Sequence, residues 1–265
     1  MTTAYDVSGT GPTVILVHGL GLNRNMWCWQ REALAADHQV IQYDLLGHGE
    51  SAKPTGPYSM ERMVEQIAEL MAALNIPKAT LIGFSLGGLI VRAFALAHAD
   101  KTQALVILNS AHARTRTQRN AILERVKQAE EDGPGATIDA ALVRWFSEEF
   151  GRQNPRVLDQ VRTWVTQNDV DAYPAAYRLL ANGDIGLEKT IAAIECPTLI
   201  MTGEEDFGNS PEMAGQMGAI MPNAKVAILP GLRHMALAEN PEMVNSVLLE
   251  FLGHVIIEFS RNKSL

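Results

Sequence analysis

Ser85, Asp206 and His234 are the residues whose types and chain positions could build an activated nucleophile. A serine hydroxyl is weak at neutral pH, so it needs a base to take its proton and a third group to orient that base. Ser85 lies within Gly83-Phe84-Ser85-Leu86-Gly87, after a short apolar run at Leu81 and Ile82 and before a longer one with helical spacing. That context reads as a strand, a sharp turn and a helix, with the serine at the corner. Such a turn strains the serine backbone and crowds the residues two positions away on each side, where this chain has glycines. It also aims a helix N-terminus at the reacting centre. A five-residue pattern with three fixed positions arises by chance in glycine turns too, so its partners carry the argument.

Seven histidines are available: His18, His38, His48, His98, His112, His234 and His254. Only His234 falls in the loop after the last expected strand, downstream of a carboxylate, Asp206, that itself ends a strand. The order Ser85, Asp206, His234 lets three parallel strands deliver three side chains to one sheet edge. Glu204 and Glu205 read as solvated loop charges, and Asn109-Ser110-Ala111-His112 offers no carboxylate. His38 and His98 read as surface residues, His18 and His48 as structural hydrogen-bonding groups in glycine loops, and His254 as part of the terminal helix or just beyond it. No two histidines have the i, i+4 spacing of a metal pair, so no metal is expected. An oxyanion would need fixed donors. The N–H of Leu86, after the serine, is one, and that of Leu20, in the glycine loop after the first long strand, is the other.

The elements that would position these groups alternate. Thr13–Val17 and Gln39–Tyr43 are apolar runs fit for strands covered on both faces. The first ends in His18-Gly19-Leu20-Gly21, where a dinucleotide-binding fingerprint fails because Arg24 occupies the place of its third glycine. The second ends in the glycine loop Asp44–Ser51. Ser59 caps a helix with Met60, Met63, Val64, Ile67, Leu70, Met71 and Leu74 on one stripe, its methionines serving as core. Strands at Ala104–Leu108, Pro197–Thr202 and Ala224–Leu229, and a helix opened by Asn240-Pro241, complete a pattern that implies a mostly parallel sheet wrapped on both faces. Between residues 113 and 190 the rhythm breaks into helical segments, about 115–132, 136–149, 155–168 and 173–182. This divides the chain into a core of 1–112 and 191–265 and a helical insertion of 113–190, shaped either to cover a site or to serve as an ordinary helical subdomain. The tail RNKSL reads as frayed.

Composition sets outer bounds. A chain of 265 residues, 47% hydrophobic and 20% charged, has ample material for a core. A net charge of -8 disfavours nucleic acid and anionic membranes as partners of a chain expected to act on a small-molecule substrate, although charge alone does not choose that substrate. Residues 79–97 are apolar, yet hold Ser85, three glycines and Arg92, which suits a buried strand and helix better than a bilayer segment. Two cysteines far apart, Cys28 and Cys196, and an N-terminus without the basic and apolar regions of a secretory leader point to a reducing, cytoplasmic setting.

Taken together, His18-Gly19 with Gly21, the Asp44–Ser51 loop, the Ser85 turn, the Gly203–Asp206 turn and Gly231-Leu232-Arg233-His234 resemble the α/β-hydrolase superfamily over nearly the whole chain. The resemblance implies an α/β-hydrolase fold with an eight-stranded, mostly parallel sheet, helices on both faces and a helical cap between strands six and seven. It also implies a cofactor-independent mechanism with Ser85 as nucleophile, His234 as acid and base, and Asp206 as its orienting partner. A serine at the elbow argues against the dehalogenases and epoxide hydrolases, which use aspartate. Gly19–Trp27 and Leu142–Phe150 are similar to the 3-oxoadipate enol-lactonase group of aromatic catabolism. That similarity implies a serine hydrolase of a lactone or an ester, with Trp145 lining the pocket and Arg114, Arg144 or Arg233 meeting a substrate carboxylate. The competing readings are a core tryptophan with solvated arginines, carbon–carbon bond hydrolysis of a ring-fission product, and a ligand-binding receptor that keeps the triad without turnover.

Overall fold

The continuous apolar runs become the interior of one sheet. The structure, a computed structural model, describes residues 2–262; the end of the tail expected to fray, residues 263–265, lies outside them. The strands are β1 (Tyr5–Ser8), β2 (Thr13–Val17), β3 (Gln39–Tyr43), β4 (Ala79–Phe84), β5 (Thr102–Leu108), β6 (Thr198–Gly203) and β7 (Ala224–Leu229), in the spatial order β1-β3-β2-β4-β5-β6-β7. Only β1 is antiparallel to its neighbour. β4 lies at the centre with all its residues buried. From β2 the chain steps first to β3 on one side and then to β4 on the other, so the crevice at the carboxyl ends of β2 and β4 is a topological switch point.

The sheet has seven strands among the described residues, not the eight implied by resemblance. Between β1 and β2 only residues 9–12 remain, a turn with Gly9 and Gly11 at φ of 70° and 120°, which leaves no chain for another strand. β1 itself escaped the sequence reading because it is a largely exposed edge strand without an apolar run. Counted along this chain, the helical insertion therefore falls between the fifth and sixth strands.

The helices are α1 (Arg31–Ala35), α2 (Met60–Ala73), α3 (Leu86–Ala97), α4 (Arg116–Asp132), α5 (Ile138–Trp145), α6 (Glu148–Gln153), α7 (Pro155–Thr166), α8 (Ala172–Asn182), α9 (Leu187–Thr190), α10 (Pro211–Ile220), α11 (Ala236–Glu239) and α12 (Pro241–Asn262). The Ser59 side chain accepts the Arg62 N–H at 3.3 Å and opens α2, which buries Met63, Val64, Ile67, Leu70 and Met71 as its spacing requires. In the insertion, Thr115 and Gln118 form a reciprocal capping box that starts α4. The helix expected over 136–149 is two helices. Ser147 leaves helical geometry and its side chain accepts the Phe150 N–H at 3.3 Å, so a new helix begins there.

Burial overturns one expectation outright and qualifies another. His38 is buried, its Nδ1 3.3 Å from the Leu34 carbonyl, because the Gly9–Pro12 turn closes over it. His98 is half-buried against Phe94, with ring centroids 4.8 Å apart. His254 lies within α12. No helix among the described residues is long and apolar enough to cross a membrane.

Candidate active site

Ser85 sits at the carboxyl end of β4 with φ 53° and ψ −111°, a conformation a side-chain-bearing residue adopts only when its surroundings hold it there. Its N–H donates to the Leu108 carbonyl at 2.9 Å, and its carbonyl accepts from the Ser110 hydroxyl at 2.8 Å and the Gly88 N–H at 3.0 Å. A Cβ on Gly83 would come within 2.3 Å of the Gly87 carbonyl oxygen, and one on Gly87 within 2.1 Å of the Val17 oxygen. Both glycines are thus steric requirements of the turn. Beneath it Arg92 is fully buried and donates to the Gly88 carbonyl (2.9 Å), the Ser110 hydroxyl (3.1 Å) and the Ala111 carbonyl (2.7 Å). Burial, reinforced by the nearby charge of Arg114, brings its guanidinium down to about 9. In the sequence Arg92 speaks only against a membrane span. Its signal was a lone charge inside an apolar helix.

Asp206 follows β6 and His234 follows β7. Asp206 Oδ2 lies 2.7 Å from His234 Nδ1. The carboxylate is almost fully enclosed: Oδ2 also accepts from Asn109 Nδ2 at 2.9 Å, and Oδ1 accepts the N–H groups of Gly208 (3.1 Å) and Asn209 (3.0 Å). Burial, the largest single influence, pushes its pKa up. The His234 charge and the hydrogen bonds from His234, Asn109 and Asn209 outweigh it and hold the carboxyl below its ordinary range. Asn109, at the end of β5, was not foreseen as part of the site. Its positive φ of 45° at a strand end was invisible in the sequence. With Nδ1 committed to Asp206, the His234 ring leaves Nε2 to face the cavity that it shares with Ser85.

Two buried histidines brace the loop after β2. His18 Nε2 accepts the Leu45 N–H at 2.9 Å, so its Nδ1 carries the proton and donates to the Gly19 carbonyl at 2.7 Å. His48 Nε2 accepts the Gly21 N–H at 3.0 Å. Burial lowers both pKa values, that of His48 to about 3, so both rings are neutral and their tautomers are set by these bonds. Leu20 lies between the two braced glycines and lines the cavity. Leu86 does not line it, but its N–H, the first of α3, has no acceptor within the helix. Arg24, where a fingerprint glycine was required, instead pairs with Asp6, Asp44 and Glu50.

The cavity has a volume of about 130 Å³ and is closed on one side by the strand-end loops and on the other by α4, α5, α7 and α8. Trp145 lines it, its ring 5.8 Å from that of His234, and the Phe84 ring packs tilted against His234 at 4.9 Å. Arg114 and Arg144 line it as well. Arg114, however, is matched by Asp184, which accepts its backbone N–H at 2.8 Å and lies 3.5 Å from its guanidinium. Arg233 does not reach the cavity. It donates to the Val143 and Phe146 carbonyls at 2.9 Å each and pairs with Glu205 at 3.3 Å, tying the end of α5 to the His234 loop. The Met235 N–H to the Trp145 carbonyl (2.9 Å) and Glu239, which accepts from Ser147 and Arg233 at 2.7 Å each, complete that tie. Arg125 lines the cavity and was not foreseen, although it lies three positions after Ile122 on the buried stripe of α4, where a charge is out of place.

Residues 12–241 match the α/β hydrolase fold family, and the chain belongs to it. Over 254 residues it is 29% identical to an (E)-2-((N-methylformamido)methylene)succinate hydrolase of Acinetobacter baylyi, covering 95% of this chain and 94% of that one. Among solved structures it is similar to a thermophilic esterase from Thermogutta terrifontis with malate bound (30% identity, TM-score 0.88, 96% and 93% coverage). It is also similar to the enol-lactonase from Burkholderia xenovorans LB400 (27% identity, TM-score 0.89, 95% and 96% coverage).

Proposed function

We propose that the protein is a cofactor-independent serine hydrolase that opens a lactone or cleaves an ester of a small carboxylated molecule through an acyl-enzyme. The observation that carries this reading is the convergence of the strained Ser85 and the Asp206–His234 pair, joined at 2.7 Å, on one small cavity. Ser85 Oγ attacks the substrate carbonyl carbon while His234 Nε2 takes its proton. The Leu20 and Leu86 N–H groups receive the oxyanion. As the carbonyl re-forms, the bond to the leaving oxygen breaks and His234 returns the proton to it. Water, deprotonated by His234, then releases the acid. Asp206 stays ionised throughout and stabilises the imidazolium.

In this reading residues 113–190 form a cap and the remainder of the chain the core domain. The support is the set of bonds that fasten Trp145 and Phe146 to the His234 loop, and the cavity wall supplied by α4 and α5. The size of the cavity favours a small substrate, since an apolar void of about 150 Å³ holds a benzene ring. Two of the relatives are described with carboxylated molecules, a substituted succinate and malate, and a third as an enol-lactonase. The test is multiple-turnover hydrolysis of an aryl acetate, an enol-lactone and a vinylogous ring-fission diketone by the wild type and Ser85→Ala. Turnover of the lactone or the ester that vanishes in the variant is the expected result. Turnover of the diketone alone would move the assignment to carbon–carbon bond hydrolysis. A single equivalent of product without further turnover would make the protein a receptor.

A further inference from the structure

Charge matching around the cavity is uneven. Arg114 has Asp184, Arg233 has Glu205, and Arg24 has three carboxylates. Arg125, half-buried, and Arg144, exposed at the cavity rim, both line the cavity and have no carboxylate or carbonyl partner among the described residues. Arg125 Nε is moreover buried without any hydrogen-bond partner. A buried donor left unpaired costs stability, and the neighbouring charge of Arg144 at the cavity rim adds repulsion instead of a partner. Such an arrangement is retained where a ligand supplies the missing acceptors, and the planar fork of arginine matches a carboxylate bidentately. We propose that Arg125 and Arg144 form an anion-binding subsite, with Arg125 the specificity-determining residue, and that the substrate is a short half-ester or lactone of a dicarboxylic acid whose free carboxylate docks there while Ser85 meets its other carbonyl.

The electrostatics of the neighbours agree. Partial burial lowers the Arg144 pKa and the charge of Arg125 lowers it further, while burial raises the pKa of Tyr177 on the same wall against the opposing charges of Arg125 and Arg144. Hydrolysis of such a substrate by Ser85 yields a dicarboxylate with one end on the arginines: the leaving oxygen departs as a hydroxyl with the proton first taken from Ser85, and water supplies the oxygen and one proton of the new acid and restores the other proton to Ser85. The inference rests on the hydrolase reading above, so its test needs a readout besides activity.

Monophenyl succinate and phenyl butyrate differ mainly in the free carboxylate, and both would be assayed with the wild type, Arg125→Met, Arg144→Met and Arg125→Lys. Succinate binding would be measured by calorimetry on the same proteins. The subsite predicts that Arg125→Met raises KM for monophenyl succinate on the order of 10- to 100-fold, raises that for phenyl butyrate far less and weakens succinate binding to a degree similar to the first. Arg125→Lys should recover part of the loss. The Tm of Arg125→Met should equal or exceed that of the wild type, because removing an unmatched charge relieves repulsion, whereas an arginine with only a structural role would lower it. Equal loss on both esters, or succinate binding indifferent to Arg125, would overturn the subsite while leaving the hydrolase intact. Succinate bound through Arg125 with no ester or lactone hydrolysed would keep the subsite and sink the hydrolase reading instead.

Discussion

A hydroxyl, an imidazole and a carboxylate reach one cavity from the ends of three strands, and the first two predict a larger loss than the third. Ser85→Ala or His234→Ala should lower kcat on the order of 10⁴-fold or more, because a triad acts as a unit, and Asp206→Asn should cost less than either. Steady-state kinetics on a hydrolysed ester checks the order; an Asp206→Asn enzyme as active as the wild type would place the acid elsewhere. Asn109 tests the layer behind. Its amide donates to the Asp206 oxygen that faces His234, so Asn109→Ala should lower kcat by about 10-fold with KM nearly unchanged, the size expected for a hydrogen bond to a charged group. A rise in KM alone would make Asn109 a substrate contact.

At the scale of elements, the turn between β4 and α3 and the junction between α5 and the His234 loop carry the site. Alanine at Gly83 or Gly87 would drive a Cβ to within 2.3 or 2.1 Å of a backbone oxygen, where no flexible side chain can yield. Each variant should lose about 1–3 kcal/mol or more of stability, along with activity, in denaturant unfolding. The α5 junction gives a milder outcome. Arg233→Met removes two hydrogen bonds to carbonyls and an ion pair, and should lower kcat by loosening the Trp145 wall while leaving succinate binding in place. The two elements differed in legibility. The elbow is spelled by local sequence, since its sterics depend on residues two positions apart. The junction joins residues about ninety positions apart, so Arg233 offered its charge to sequence reading and withheld its partners.

For the whole molecule, burial of neutral histidines couples stability to pH. His18 and His48 lie beneath the loop that carries Leu20, and burial lowers both from the ordinary 6.5, His48 to about 3. The unfolded chain protonates these rings below about pH 6.5 while the folded one does not. The unfolded state therefore binds more protons, and stability falls as pH drops from 6.5 towards 3. His48 alone contributes up to about 1.4 kcal/mol per pH unit in that window. Urea unfolding at pH 7 and pH 5 should show the decline, and His48→Gln, which can still accept the Gly21 N–H, should flatten it. An unchanged pH dependence in that variant would assign the effect to other groups.

Local spelling and chain order were enough to single out Ser85, Asp206 and His234, which the fold brings to one cavity, together with the parallel sheet and the helical stretch between two of its strands, because each depends on short-range periodicity, turn sterics or the sequence of elements. They were not enough for the strand count, since β1 is an exposed edge whose place is set by its pairing to β3 and by the Arg24–Asp6 ion pair. Nor could they reveal that Arg92 and Asn109 stand behind the reacting groups, or sort Arg114, Arg125, Arg144 and Arg233 by role. An arginine is a free charge or a structural strut according to what lies opposite it, and what lies opposite comes from distant parts of the chain, brought together only when the helices between β5 and β6 close against the sheet.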